Sequence, residues 1–264
     1  MTTAGARNAT YVYGLVRSGR RPSARGAPEG LPGTGPVRLL PAGSGLWLVV
    51  ADAPLAQYDK TPIERSLKDL EWVSACAVAH ERVVDHFAAR FTLVPMKLFT
   101  LFTGDAAAAA DIARDRKRVG RVLDRVAGRR EWGLRLHWDE AKARQAARAQ
   151  AAARPAAGPA GTEFLLRKKR EQHEGRKLAE GARAEAERLF RALAREADEA
   201  RSRPPARTDG ASRLLLDAAF LVRAGRTRRF REALVRATAG LADRGYEVSL
   251  TGPWPPYNFV AEPS

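Results

Sequence analysis

The residues that come closest to a catalytic or metal-binding pattern are Cys76, His80, Asp85 and His86. Cys76 and His80 are one helical turn apart, so on a helix they share a face, and thiolate, imidazole and carboxylate are ligands that zinc accepts. A structural zinc site usually needs four such donors and a catalytic one usually three. The spacing aims no further donor at this pair, and His80 and His86 diverge around a helix. Cys76 and His80 therefore read as core residues. Other chemistry-bearing patterns are missing: there is no Gly-rich phosphate loop ending in Lys-Ser/Thr, no Gly-x-Gly-x-x-Gly after a strand and no Gly-x-Ser-x-Gly. Gly43-Ser44-Gly45 is a turn. An enzyme on this chain would need a polar constellation that the sequence does not offer.

Two stretches point to binding. In the tail, Gly252-Pro253-Trp254-Pro255-Pro256-Tyr257-Asn258-Phe259-Val260, three of nine residues are proline and three are aromatic. Proline cannot donate to a sheet ladder, so the segment should run extended along an edge or over the outside of a sheet. Trp254, Tyr257 and Phe259 would anchor it to apolar surface, as a clasp closing the fold, as a docking site for a partner, or as both. Arg167-Lys168-Lys169-Arg170 is the densest basic cluster. It opens a helix, where positive charge opposes the dipole. It reads as a solvated face or as a contact for an acidic partner.

The elements that would position these residues follow in order. Tyr11 to Arg17 is β-rich and opens the fold. Residues 18–36, with five glycines and four prolines, form a loop long enough to be mobile. Val37 to Leu40 and Leu46 to Val50 flank a Pro-Ala-Gly-Ser-Gly turn as a hairpin. Thr61-Pro62 opens a helix whose apolar stripe runs through Leu67, Leu70, Val73, Ala77, Val84 and Phe87. Phe91 to Phe102 is a strand interrupted by Pro95, which predicts a bulge or a sheet edge. Asp105 caps an alanine-rich helix carrying Ile112, Val119, Leu123 and Val126. Glu131 to Trp138 alternates as a strand. After an Ala/Arg-rich connection, one long helix runs from Thr162 to about Arg203, with Leu178, Ala182, Ala186, Leu189, Leu193 and Ala197 on one face. Leu214 to Val222 is a strand, Phe230 to Leu241 a helix, and Tyr246 to Leu250 the last strand.

This pattern predicts an α+β protein of two domains. Residues 1–130 form an N-terminal α+β sheet with helices. Residues 131–264 form an α+β or ferredoxin-like domain with a long helix and the Pro/aromatic tail. With 45% hydrophobic residues a packed core is expected, while the single cysteine and the lack of any long apolar run fit a soluble protein of the cytoplasm. The net charge of +16 favours acidic partners, so a basic nucleic-acid-binding module is an alternative function. The arginines are spread over the whole length among many alanines, which is also what GC-biased coding yields.

The tail motif after a predicted strand resembles the terminal signature of the gas vesicle accessory proteins of the GvpF/GvpL family. Other stretches agree in order. Tyr11-Val12-Tyr13-Gly14-Leu15-Val16 resembles the family's opening strand and Ala79-His80-Glu81-Arg82-Val83 its helical histidine motif. Val94-Pro95-Met96-Lys97 through Phe102 resembles its Pro-Leu-Arg-Phe-Gly strand, with Lys97 where arginine is frequent and Phe99 where glycine is usual. Glu131-Trp132-Gly133 and Gly161-Thr162-Glu163-Phe164-Leu165 match the motifs that open the second domain and its helix. The resemblance implies two α+β domains, the second a modified ferredoxin-like one with an extra long helix, and a non-enzymatic accessory or minor structural protein of gas vesicles that needs no cofactor, found at the vesicle and in the cytoplasm. Its partners would be the main shell protein and other gas vesicle proteins.

Overall fold

The computed structural model describes residues 8–152, 163–204 and 212–260, with side chains placed for all of these except 150–152 and 163–172. The chain divides into two compact units, Met1–Arg129 with Trp254–Ser264, and Arg130–Pro253. The tail, which the sequence reading assigned to the second domain, thus belongs to the first unit. Tyr257 packs against its core and Phe259 is fully buried.

The first unit is built on β1 (Asn8–Arg17), which pairs antiparallel with β3 (Leu46–Pro54) on one side. On its other side lie β4 (Thr92–Pro95) and β5 (Leu101–Phe102), and β2 (Arg38–Pro41) adds to the far side of β3. The strand order is β2-β3-β1-β4, so Pro95 lies on an edge strand, where a missing N–H does no harm. Between Val12 and Gly14 the register shifts by one residue. This bulge turns Leu15 to the face of Val12, and Val16 to the face of Tyr11 and Tyr13. Gly14 suits the close approach there, because a Cβ would stand 3.0 Å from the Val94 carbonyl oxygen and crowd β4. Both faces of the sheet are covered. α1 (Leu55–Tyr58), α2 (Lys60–Ser66) and α3 (Leu70–Ala88) follow β3, and α3 lays Cys76, Val83, Val84 and Phe87 on the tyrosine face. α4 (Asp105–Arg114) and α5 (Arg116–Val126) cover the other with Ile112, Leu123 and Val126. Burial on both sides explains the near-continuous apolar run of β1.

Several local expectations are corrected. The helix expected from Thr61 is two helices. Asp59 caps α2 through Lys60 N–H, and Asp69 caps α3 by accepting from the N–H groups of Glu71 and Trp72. Asp105 is not a cap. Its carboxylate accepts from Thr10 Oγ1 at 2.7 Å and from Arg38, whose hydrogen bond holds its pKa below the usual carboxylate range. The loop over 18–36 is tied down: Leu31 is buried and donates its N–H to the Tyr13 hydroxyl at 3.0 Å, and Tyr58 donates to the Pro32 carbonyl.

The second unit runs β6 (Arg129–Asp139), α6 (Glu140–Ala152), α7 (Glu163–Ala194), β7 (Glu199–Arg203), β8 (Ser212–Arg223), α8 (Thr227–Thr238) and β9 (Tyr246–Trp254). Its sheet order is β7-β8-β6-β9. Leaving α6 aside, that is the βαββαβ order of a split βαβ unit. α7 and α8 bury Leu189, Leu193, Phe230 and Ala237 against Trp132, Leu134, Leu136, Phe220 and Val222 of the sheet. α7 ends at Ala194, and the stretch expected to continue it is strand β7.

The apolar face of helix α3 and the C-terminal clasp

The tail returns to the first unit through a 3-10 turn over Tyr257–Phe259, closed by Tyr257 N–H to Pro255 O at 2.8 Å and Phe259 N–H to Pro256 O at 3.1 Å. Pro255 and Pro256 are buried and Phe259 is wholly so, its carbonyl taking a long hydrogen bond from Arg125 at 3.4 Å. Tyr257 is half-buried with its ring 6.5 Å from that of His80. Burial, and next the Glu81 carboxylate, push its phenol pKa up. Of the three rings expected to meet a partner, Phe259 is a core residue with no surface to offer, and Tyr257 belongs mainly to the clasp. Trp254 alone of the three stands out, at 43% exposure.

His80, 2% exposed, organises the ground beneath the clasp. Its Nε2 lies 3.1 Å from the Met96 carbonyl and its Nδ1 2.7 Å from the Tyr11 hydroxyl. A carbonyl only accepts, so Nε2 carries the proton, and Tyr11 donates to Nδ1. Burial lowers the His80 pKa to about 4, which keeps the ring neutral near pH 7. Tyr11 in turn accepts from the Phe99 N–H at 3.3 Å. Phe99 sits at φ 63, a left-handed conformation that suits glycine, with its ring stacked on Trp72 at 5.4 Å. Burial pushes the Cys76 thiol up, and Asp85 is exposed on the opposite side of α3. Among the described residues no three His, Cys, Asp or Glu side chains gather into a metal-binding group.

The exposed large hydrophobics lie mostly outside the tail. Leu67, Leu70 and Val78 account for three of the five exposed large hydrophobics among the described residues, and Leu70 is 82% exposed. All lie within or just before α3. Leu67 and Leu70, expected on the buried stripe, are exposed, and the break at Asp69 puts Leu67 outside α3. The face that α3 buries is Cys76, His80, Val83, Val84 and Phe87. The available signal was that the apolar stripe overshoots the face one helix can bury. Arg167, Lys168, Lys169 and Arg170 lie on the backbone of α7, but their side chains fall outside the described residues.

The fold is two α+β units, with Leu70 and Val78 exposed on α3 and Leu67 exposed just before it. The chain matches the family described as gas vesicle synthesis protein GvpL/GvpF over residues 9–261, and it belongs to that family. It is 32% identical to gas vesicle protein L of a Streptomyces species over 95% of this chain and 92% of that protein. It is 30% identical to gas vesicle protein L2 of Halobacterium salinarum over 74% of each. Crystal structures of GvpF share the fold. The Anabaena protein has a TM-score of 0.68 at 18% identity, covering 97% of this chain and 98% of its own, and the Microcystis aeruginosa protein 0.67 at 16%, covering 96% and 99%. The family's role is tied to gas vesicles, and it is known as an accessory or structural group rather than as an enzyme class. No helix among the described residues is long and apolar enough to cross a membrane.

Proposed function

We propose that this chain is a non-enzymatic accessory or minor structural protein of gas vesicle assembly, acting in the cytoplasm and at the vesicle. It binds the main shell protein, and with it other gas vesicle proteins, before or during assembly. The observation that carries this reading is the exposure of Leu70 and Val78 on α3, with Leu67 just before it, on a helix whose other face is packed into the core. A shell subunit must present an apolar face to gas, so its free form is prone to aggregate. A rigid apolar helix face can cover such a surface without ordering a flexible segment on binding. Trp254 supplies a further anchor of the amphipathic kind favoured at interfaces.

The test is co-expression of the tagged chain with the shell subunit, followed by pull-down. The parent chain should recover shell protein, and Leu70→Lys with Val78→Lys should cut recovery at least about fivefold while the melting temperature stays close to the parent's. Failure of the parent to enrich any shell or accessory protein would defeat the reading, and unchanged recovery by the double variant would move the contact off α3.

A further inference from the structure

The second unit carries a charged surface that shell binding through α3 leaves unused. Between Arg223 and Arg236 the sequence has six arginines and one carboxylate, Glu232. All six arginines are exposed. Arg223 reaches Asp198 at 3.2 Å and Arg228 reaches Glu232 at 3.7 Å. Arg226, Arg229, Arg231 and Arg236 have no carboxylate partner among the described residues.

Helical geometry sorts these side chains. Phe230, Ala233 and Ala237 are the buried face of α8. Arg228, Arg231 and Val235, at i, i+3 and i+7, run along the outside, and Arg229 and Arg236 follow on the neighbouring flank. Val235, at 69% exposure, therefore sits between arginines. Like charges one turn apart repel, so the stripe carries an electrostatic cost that a polyanion would relieve.

The surroundings choose between polyanions. A single-stranded nucleic acid needs exposed rings to stack its bases, and the aromatic residue of α8, Phe230, is fully buried. A second copy of a chain with net charge +16 would add repulsion. An acidic polypeptide fits best: its carboxylates match the guanidinium fork, and an apolar side chain among them can cover Val235. We propose that the outer face of α8 is a docking surface for an acidic, amphipathic polypeptide segment of a partner protein.

The experiment uses the full chain and two labelled probes read by fluorescence anisotropy at low salt. One is a helical peptide of about 20 residues of glutamate, alanine and leucine, with leucines on one face. The other is a thymidine oligonucleotide of about equal charge. Arg226→Glu, Arg229→Glu and Arg231→Glu together should weaken peptide binding at least about tenfold, and the glutamine triple about threefold, which preserves the test if the glutamates disturb folding. The same charge change at the α4–α5 junction, at Arg114, Arg116 and Lys117, should weaken it less than about threefold. Val235→Ser should weaken the peptide about twofold and leave the oligonucleotide unchanged. An equal loss from the junction triple would reduce the effect to net charge. Oligonucleotide binding tighter than peptide binding, lost in the Arg226, Arg229 and Arg231 triple, would make the surface a nucleic-acid site. Either result overturns the proposal.

Discussion

The Tyr11 hydroxyl lies 2.7 Å from Nδ1 of His80, joining the central strand β1 to helix α3 through a neutral imidazole whose other nitrogen holds the Met96 carbonyl. The bond fixes the tautomer, and burial keeps the ring uncharged, so the network resists protonation. The folded pKa is about 4 against an ordinary 6.5. Between these values the unfolded chain binds the proton and the folded one does not, so stability rises with pH across that window. The full contribution, about 3 kcal/mol at most, is present above about pH 6.5 and is lost as pH falls toward 4. Asp105, whose pKa is lowered, loses its contribution only on further acidification. Denaturant titrations from pH 7 to 4 should show the slope in the parent, and His80→Gln should flatten it while lowering stability at pH 7 by about 1–3 kcal/mol. An identical slope in the variant would remove His80 as its source.

Phe99 combines a strained backbone with a favourable ring. Its φ of 63 costs about 1–2 kcal/mol for a residue with a Cβ, and its half-buried ring stacks on Trp72. Phe99→Ala keeps the strain and loses the ring, and should destabilise by about 2–4 kcal/mol. Phe99→Gly loses the ring but relieves the strain, and should be the milder change by about 1 kcal/mol even after glycine's extra unfolded-state entropy. Equilibrium unfolding of the two variants checks the order. Glycine proving worse than alanine would mean that the backbone here stores no strain.

The tail aromatics should separate by burial. Phe259→Ala opens a cavity in the first unit and should cost about 3–5 kcal/mol. Trp254→Ala, at an exposed position, should change stability by less than about 0.5 kcal/mol. Thermal unfolding followed by circular dichroism distinguishes them, and equal effects would contradict the division into clasp and surface.

What the sequence discloses depends on whether a residue's neighbours are local. β1, β3, the α7 face and the final strand have periodicities set by burial, and they were readable. The break at Asp69 was harder, because capping at one aspartate overrode an apolar stripe that continues through it. Leu67 and Leu70 were misplaced for that reason, and the exposed face on α3 was missed with them. The destination of the tail was hidden because Phe259 is buried by residues far away in the chain. β7 was hidden because Glu199-Ala200-Arg201-Ser202-Arg203 has the composition of a helix, and pairing with β8 decides otherwise.

That pairing gives a last prediction. Glu199 to Arg203 lies antiparallel to Leu221 back to Asp217, and β7 is the outer strand of its sheet. A charged edge strand resists pairing with other molecules, but its charges need partners within the ladder. Asp217, which interrupts the apolar run of β8, supplies one: it is 3.3 Å from Arg203, directly opposite, and 4.0 Å from Arg135. With the arginines more than half exposed, screening keeps each pair small. A double-mutant cycle of Asp217→Ala with Arg203→Ala should return a coupling of about 0.5–1 kcal/mol that shrinks in high salt. The same cycle with Arg135→Ala should return less than half of that, because the contact is at the limit of an ion pair. A larger coupling to Arg135 than to Arg203 would show that Asp217 serves the neighbouring strand β6, and that backbone hydrogen bonds and apolar packing alone hold β7 in place.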